Sequence, residues 1–533
     1  MVGKIKHMKY RLLSYLLVFS LLNQVVMAQT IAKGYVYADS NKNNKRDKKE
    51  KGISGVGVSN GIQVVQTNYS GYYELPVSDD QLIYVIKPSE YSCPVNEFNQ
   101  PQFYYNYKPA GSPAGFKYKG VAPTGPLPAF VDFPLHPQIA KDTFTTLLFG
   151  DPQPYTEKEV EYFAKGVVAE LEGSKDALFG LSLGDLVGDH LDLHNPYIKA
   201  VQKVGIPWYN LMGNHDMNYD ATADSLSDET FERNFGPANY AFNVGKAHFI
   251  VLDDILYPDP RDNNGYWGGF RASQLEFIEN DLRTVPTDRL IVLAFHIPLK
   301  NSEEGFRSAD RRRLFELLKN YPNTLSLSAH THLQRNDFFG KEDGFERAKP
   351  HHEFNAGTTS GDWYKGELNE AGIPVSTMRD GTPKGYAFLR ITGNQYLIDY
   401  KVAGKPASYQ MEIAAPKVIP FKQRTSAGIH VNFFMGHRGS LVECRINGGA
   451  WKKMNYVEDA DPAYLQAVFK WDFSDKLLNG KRPSNPENST HLFRIGFPAD
   501  LPEGTHHIEI KATDMYGRIF TAQRDFRVEK TTE

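Results

Sequence analysis

The sequence predicts an α/β domain flanked by two all-β domains, and three observations carry that expectation. Residues 142–402 alternate apolar strand-like runs with amphipathic helical ones. Residues 29–88 and 411–533 carry short β-branched and aromatic runs separated by Gly, Asn and Asp. A chain of 533 residues also has room for about three or four domains.

Residues 1–28 read as a signal peptide. Lys4, Lys6, Lys9 and Arg11 precede the apolar stretch Leu12–Val26, and Val26-Met27-Ala28 suits cleavage before Gln29. The apolar run is shorter than the roughly 20 residues that a membrane span needs, so no transmembrane segment is expected after cleavage. No Cys follows it to take a lipid, and a periplasmic or secreted location is expected. Within 29–88, Gly34–Ala38, Val56–Ser59, Ile62–Val65 and Gly71–Leu75 read as strands. Residues 89–141 are rich in Pro, Gly, Tyr and Phe without periodicity, which predicts an irregular, packed connection.

In 142–402, strands are expected at Phe144–Phe149, Ala177–Leu183, Trp208–Met212, His248–Leu252, Leu290–Phe295 and Thr324–Ser328. Helices are expected at Glu157–Leu171, Ser273–Thr284 and Ala309–Asn320. The first opens on the capping box Thr156-x-x-Glu159, and the last has Ser308 as its cap. Tyr386–Ile391 and Gln395–Lys401 form a hairpin. The last domain, with strands at His506–Ala512 and Phe520–Glu529, reads as an Ig-like sandwich.

Composition narrows the function. Hydrophobic residues make up 41% and charged residues 23%, as in a folded protein. The formal charge is −3, so there is no basic field and no nucleic-acid-binding signature. Cys93 and Cys444 lie in different predicted domains and read as unpaired.

Five motifs in the middle domain each follow an apolar run: Gly150-Asp151-Pro152-Gln153, Gly184-Asp185-Leu186-Val187-Gly188-Asp189, Gly213-Asn214-His215-Asp216, Phe295-His296-Ile297-Pro298 and Ala329-His330-Thr331-His332. Polar residues at strand C-termini converge on one site in α/β folds. Carboxylates, amides and imidazoles are ligand types for Mn²⁺, Fe or Zn²⁺. Each motif alone is an ordinary turn or cap; five in this order are not.

In these motifs the chain resembles the calcineurin-like metallophosphoesterase superfamily. The resemblance covers 142–402 and implies a four-layer αββα metallophosphoesterase sandwich with two metal ions at one sheet edge. It implies that one metal takes Asp151, Gln153, Asp185 and His332, and the other Asp185, Asn214, His296 and His330, with Asp185 bridging. His215 would act on the substrate, with Asp216 orienting it. Two departures stand out. Gln153 replaces a histidine of the first motif, and Gly188 stands where purple acid phosphatases carry their tyrosine.

The chemistry implied is hydrolysis of a phosphate mono- or diester by a metal-bridging hydroxide, with His215 assisting the leaving group. The partner is then a phosphorylated substrate. The rival reading is a non-catalytic surface module that keeps a structural metal. Asn214 and His215 are also substrate-contact candidates. Trp363 is another, as a ring that could stack on a substrate. Asp189, His190 and His194 read first as solvated, and Asp380 as a turn residue. In the first domain Asp39, Asn41, Asn43, Lys45, Asp47 and Glu50 match the ligand spacing of an EF-hand calcium loop. The stretch Gly34–Tyr73 also resembles the B-like repeats of bacterial surface adhesins, which implies calcium at this loop.

Overall fold

The computed structural model describes residues 30–531; the expected signal peptide lies outside them. No helix among the described residues is long and apolar enough to cross a membrane.

Two sheets form the middle region. One has the order Trp208–Leu211, Phe179–Leu183, Thr143–Phe149, Gly385–Thr392, Gln395–Val402. Its first three strands are parallel, and the terminal hairpin joins antiparallel to Thr143–Phe149. The other has the order Tyr240–Val244, Ala247–Val251, Leu290–Ala294, Asn323–Ser328, His351–Asn355, Arg335–Phe339. Its four central strands are parallel.

Side chains alternate across each strand, so each sheet has two apolar faces to cover. Phe179 of the first sheet meets Phe242 and Phe249 of the second edge-on, with centroids 5.6 and 5.5 Å apart. From the opposite face, Phe149 packs at 5.7 Å against Phe163 of the helix Glu157–Gly166. Phe163 in turn stacks on Tyr197 of the helix His194–Val201. The helices Ala272–Leu282 and Ser308–Leu317 pack together, and Phe315 meets Phe339 of the second sheet at 5.2 Å. The strands that precede the motifs run parallel to their neighbours within their own sheets, except that Thr143–Phe149 also pairs antiparallel with Gly385–Thr392.

Several elements differ from expectation for local reasons. The helix from Glu157 ends at Gly166, and Val168–Leu171 continues as a 3₁₀ turn. Gly and β-branched Val are weak helix formers at that junction. Thr156 caps this helix as expected, but the Glu159 carboxylate accepts from the Tyr155 N–H rather than closing the box on Thr156. Arg307, not Ser308, holds the cap position of the later helix. The strands Arg335–Phe339 and His351–Asn355 escaped notice because their polar residues are satisfied inside the sheet. Both ring nitrogens of buried His351 pair with the hydroxyls of Thr324 and Ser326, at 2.8 and 2.7 Å.

The 89–141 segment is largely irregular and packed, as expected, but it also supplies three short strands. Tyr91–Ser92 and Phe133–Pro137 extend the sheet of Thr30–Ala38 and Tyr72–Val77. Tyr104–Tyr107 completes the sheet of Gly57–Ser59, Val64–Gln66 and Gln81–Ile86. Each strand is too short to show a period, and Pro interrupts the last. The segment also docks on the middle region. Buried Lys108 reaches Glu229 and Glu232 of the helix Glu229–Phe235, both at 2.7 Å.

In the Asp39–Glu50 loop the side chains bond to the loop itself. Asp39 accepts from the backbone of Asn43 and Asn44, and Asp47 accepts from the amides of Asn41 and Asn43. Glu50 accepts from the N–H groups of Ser40 and Asp47, and the Lys45 N–H donates to Asn43. The calcium expectation therefore rests on spacing alone.

After residue 411 a four-stranded and a five-stranded sheet enclose a separate core that includes Ile429, Val431, Phe433, Phe493, Ile508 and Ile510. The helix Pro462–Asp472, which the sequence reading missed, sits between two strands of this region. Cys93 and Cys444 are both buried and free.

Candidate metal centre

Three of the five motifs turn sharply as they leave their strands. Asp151, Gln153, Asp185, His330 and His332 all have positive φ, from +34° to +70°. Left-handed backbone at non-glycine residues costs energy and persists only where the surroundings impose it; such residues cluster at functional sites. Here the turns aim five side chains at one point. Two motif glycines are steric requirements. A Cβ at Gly184 would fall 2.4 Å from His296 Nδ1, and one at Gly213 would fall 2.1 Å from the Asp185 backbone nitrogen.

Six of the seven candidate ligands approach one another. His296 Nε2 lies 3.2 Å from Asp185 Oδ2 and 3.2 Å from His330 Nδ1. These three residues form a group able to hold a metal ion. The Asn214 side-chain oxygen, from the third motif, is buried and has no hydrogen-bond partner. Asp151 Oδ1 lies 3.9 Å from both His296 Nε2 and His332 Nε2. Gln153 Oε1 is 2.7 Å from His332 Nε2, and Gln153 Nε2 is 3.1 Å from Asp185 Oδ2.

The proton inventory tests whether cations fit. His296 Nδ1 is 2.8 Å from the Leu183 carbonyl, and His332 Nδ1 is 2.8 Å from the Gly361 carbonyl. Each Nδ1 must donate there, so the neutral His332 ring turns a bare Nε2 lone pair toward the centre, and His296 Nε2 is aimed there too. His332 Nε2 then faces Gln153 Oε1, acceptor against acceptor. Flipping the Gln153 amide moves the conflict to Asp185 Oδ2. A cation resolves both, and the donor set suits Mn²⁺, Fe or Zn²⁺.

Burial, with His296 next, pushes His330 down to about 3, and burial likewise pushes His332 down to about 3. Both are neutral rings, as ligation requires. Burial works against protonation of His296, but Asp185 and Asp151 outweigh it and raise the ring to about 10. A proton there marks where positive charge is wanted. Burial raises Asp151 well above the carboxylate range, whereas His296 and His215 hold Asp185 below it despite burial.

His215 is three-quarters buried and reaches past the ligands; its backbone N–H donates to Asp185 Oδ1 at 2.9 Å. Its orienting partner is not Asp216. Asp216 is fully buried and accepts from the N–H groups of Leu186, Val187 and Gly213 and from His194 Nε2, tying the second motif to the third. The partner is Asp189, whose Oδ1 lies 2.7 Å from His215 Nδ1. Burial opposes charge on His215, yet Asp185 and Asp189 raise it to about 9. The available signal was the second carboxylate of the Gly184–Asp189 motif, four residues after Asp185.

Trp363 is also corrected. Its indole stacks on the His332 ring, with centroids 4.0 Å apart and planes 22° apart, so one face braces a candidate ligand. At Gly188, a Cβ would come within 2.7 Å of the Tyr155 ring, which lies 5.9 Å from the His215 ring. A different tyrosine thus fills the space beside the second motif. His190 is solvent-facing, while His351 and His352 are buried structural residues.

Family models match nearly the whole described chain. The model for Calcineurin-like phosphoesterase matches residues 144–334. Those for its N terminal and C terminal parts match 40–121 and 353–520. The chain belongs to the calcineurin-like metallophosphoesterases. It carries N- and C-terminal accessory regions around a mixed α/β core, and members of this family are generally hydrolases of phosphoester bonds that depend on two metals. No curated protein matches this phosphoesterase. Among solved structures, a purple acid phosphatase from yellow lupin (Lupinus luteus) seeds is similar at 12% identity and a TM-score of 0.36; the match covers 70% of this chain and 66% of that one, just under two thirds of its length. CopC from Methylosinus trichosporium is similar at 11% identity and a TM-score of 0.13, over 22% of this chain and 89% of that one. Neither likeness is close enough to bear on the phosphoesterase's chemistry.

Proposed function

We propose that this chain hydrolyses a phosphate mono- or diester at a centre of two divalent metals, as a secreted or periplasmic enzyme. The core is read as a four-layer αββα sandwich and the flanking regions as Ig-like. The observation that carries the reading is the convergence of unprotonated imidazole nitrogens on carboxylate and amide oxygens, an arrangement that a cation completes. Asp151, Gln153, Asp185 and His332 would hold one ion, and Asp185, Asn214, His296 and His330 the other. Such ions neutralise phosphate oxygens and bring a bound water's pKa toward neutrality. His215 presents Nε2 to the leaving oxygen while Nδ1 donates to Asp189, so the ring can give up a proton. A merely structural metal site has no use for that partly exposed acid, which disfavours the binding-module reading. The test is turnover of a chromogenic phosphate ester with and without chelator.

The Asp189–His215 pair makes a pH prediction. The raised pKa of His215 means that it loses its proton only as pH rises through the alkaline range. An acid that must be protonated gives a rate that falls across its pKa. Removing the Asp189 charge lowers that pKa, because an opposite charge within hydrogen-bond distance favours the protonated ring. Asp189→Asn is therefore expected to move the alkaline limb of kcat/KM down by about one pH unit, with metal content unchanged. An unmoved limb contradicts the acid role.

A further inference from the structure

We infer that Arg379 is a positioning residue through which the C-terminal region fixes the His332 half of the metal centre. The inference rests on the two-metal reading above and concerns how its two halves are held.

The halves are supported differently. His296 is held within the catalytic core, by the Leu183 carbonyl and by Asp254, whose buried carboxylate accepts the N–H groups of His296 and Ile297. Asp216 supports the turn that carries Asp185 in the same way. The His332 ring instead depends on one loop, through the Gly361 carbonyl and the stacked Trp363 indole. That loop has positive φ at Gly361, Trp363 and Tyr364. A strained loop holds its shape only when its surroundings impose it.

Within the core, Thr358 donates to the Gly361 carbonyl, Ser376 to the Ser360 carbonyl and Tyr364 to the Pro152 carbonyl; the rest of the support comes from beyond residue 460. Asp362 accepts from the Ser484 N–H at 2.6 Å and from the Tyr464 hydroxyl at 3.3 Å. Lys365 donates to the Ser484 hydroxyl at 2.6 Å. Arg379 joins the pieces. One guanidinium nitrogen donates to the carbonyl of Thr331, the residue between His330 and His332, at 3.1 Å. Another pairs with Glu487 at 3.0 Å. The guanidinium also lies 5.4 Å from the centre of the Trp363 ring. Next to it, buried Asp380 is 3.2 Å from His491 Nε2 and accepts from the Gln334 N–H just past the fifth motif. The residue first read as a turn is an interdomain tie. One arginine thus touches the peptide that carries His332, the neighbourhood of the ring stacked on it, and the C-terminal region.

Partners that orient a ligand commonly contribute 10–100-fold in metal affinity. The test uses metal-free full-length protein titrated with Mn²⁺, with stoichiometry and affinity read by calorimetry and folding by thermal melting. In Arg379→Gln, one of two equivalents is expected to weaken by roughly 10–100-fold while the other keeps the parent's affinity. Turnover lost at low Mn²⁺ returns with excess. Glu487→Gln, which cuts only the link to the C-terminal region, is expected to weaken the same equivalent by less. It carries the test if Arg379→Gln does not fold. Parent-like affinity for both equivalents in folded variants, or equal weakening of both, overturns the inference. A parent that binds no metal overturns the two-metal reading itself.

Discussion

Asp185→Ala is expected to lose both metal equivalents and to reduce phosphoester turnover by more than roughly 10³-fold, the scale of several kcal/mol of transition-state stabilisation supplied by the ions. This carboxylate faces ligands of both halves of the site. Its Oδ2 faces His296 Nε2 at 3.2 Å and the Gln153 amide at 3.1 Å. Its Oδ1 accepts the His215 N–H. Without it, each half keeps three donors and no shared charge binds the halves together. Of the ligands, three imidazoles, two amides and one carboxylate then remain. Ala also sits poorly at φ +47°, so some loss of stability is expected and Asp185→Asn is the better-folded companion. Asn keeps the shape and can still accept the His215 N–H through its one oxygen, but removes the negative charge. Metal analysis of parent and both variants decides: two equivalents with normal turnover in Asp185→Asn would remove Asp185 from the centre.

His215→Ala is expected to act according to the leaving group. The ring is not in either ligand set, and its Nδ1 is committed to Asp189, so the metals should stay. An alkoxide has a high pKa and needs a proton in the transition state; a nitrophenolate does not. Alkyl phosphate turnover should fall by roughly 10²–10⁴-fold, and nitrophenyl phosphate turnover by clearly less. Equal losses with metals retained would make His215 a group that positions the phosphate. Loss of a metal would mean that the ligand sets are misassigned.

Much of the centre was legible because the ligands are short motifs at strand ends. Fold and site there share one cause: parallel strands bring their C-termini to one edge. Six of the seven proposed ligands approach one another in the structure. What was not legible depends on contacts across the chain. Asp189 and Asp216 are both carboxylates beside His215 in the motifs, and only packing shows that Asp216 is consumed by three backbone N–H groups. Trp363 and Arg379 lie far from the motifs in sequence, and nothing local marks them as supports of His332. The strands in 89–141 are too short and too Pro-interrupted to announce themselves; pairing with distant strands makes them.

The most direct test of the two-metal phosphoesterase is hydrolysis of nitrophenyl phosphate and its bis-ester by the full-length protein, before and after chelation, with the metal content measured alongside. The expected result is turnover that disappears with the metal and returns in proportion as about two equivalents of Mn²⁺ are restored. Metal-free protein that keeps its turnover, or metal-loaded protein that hydrolyses neither ester, would contradict it.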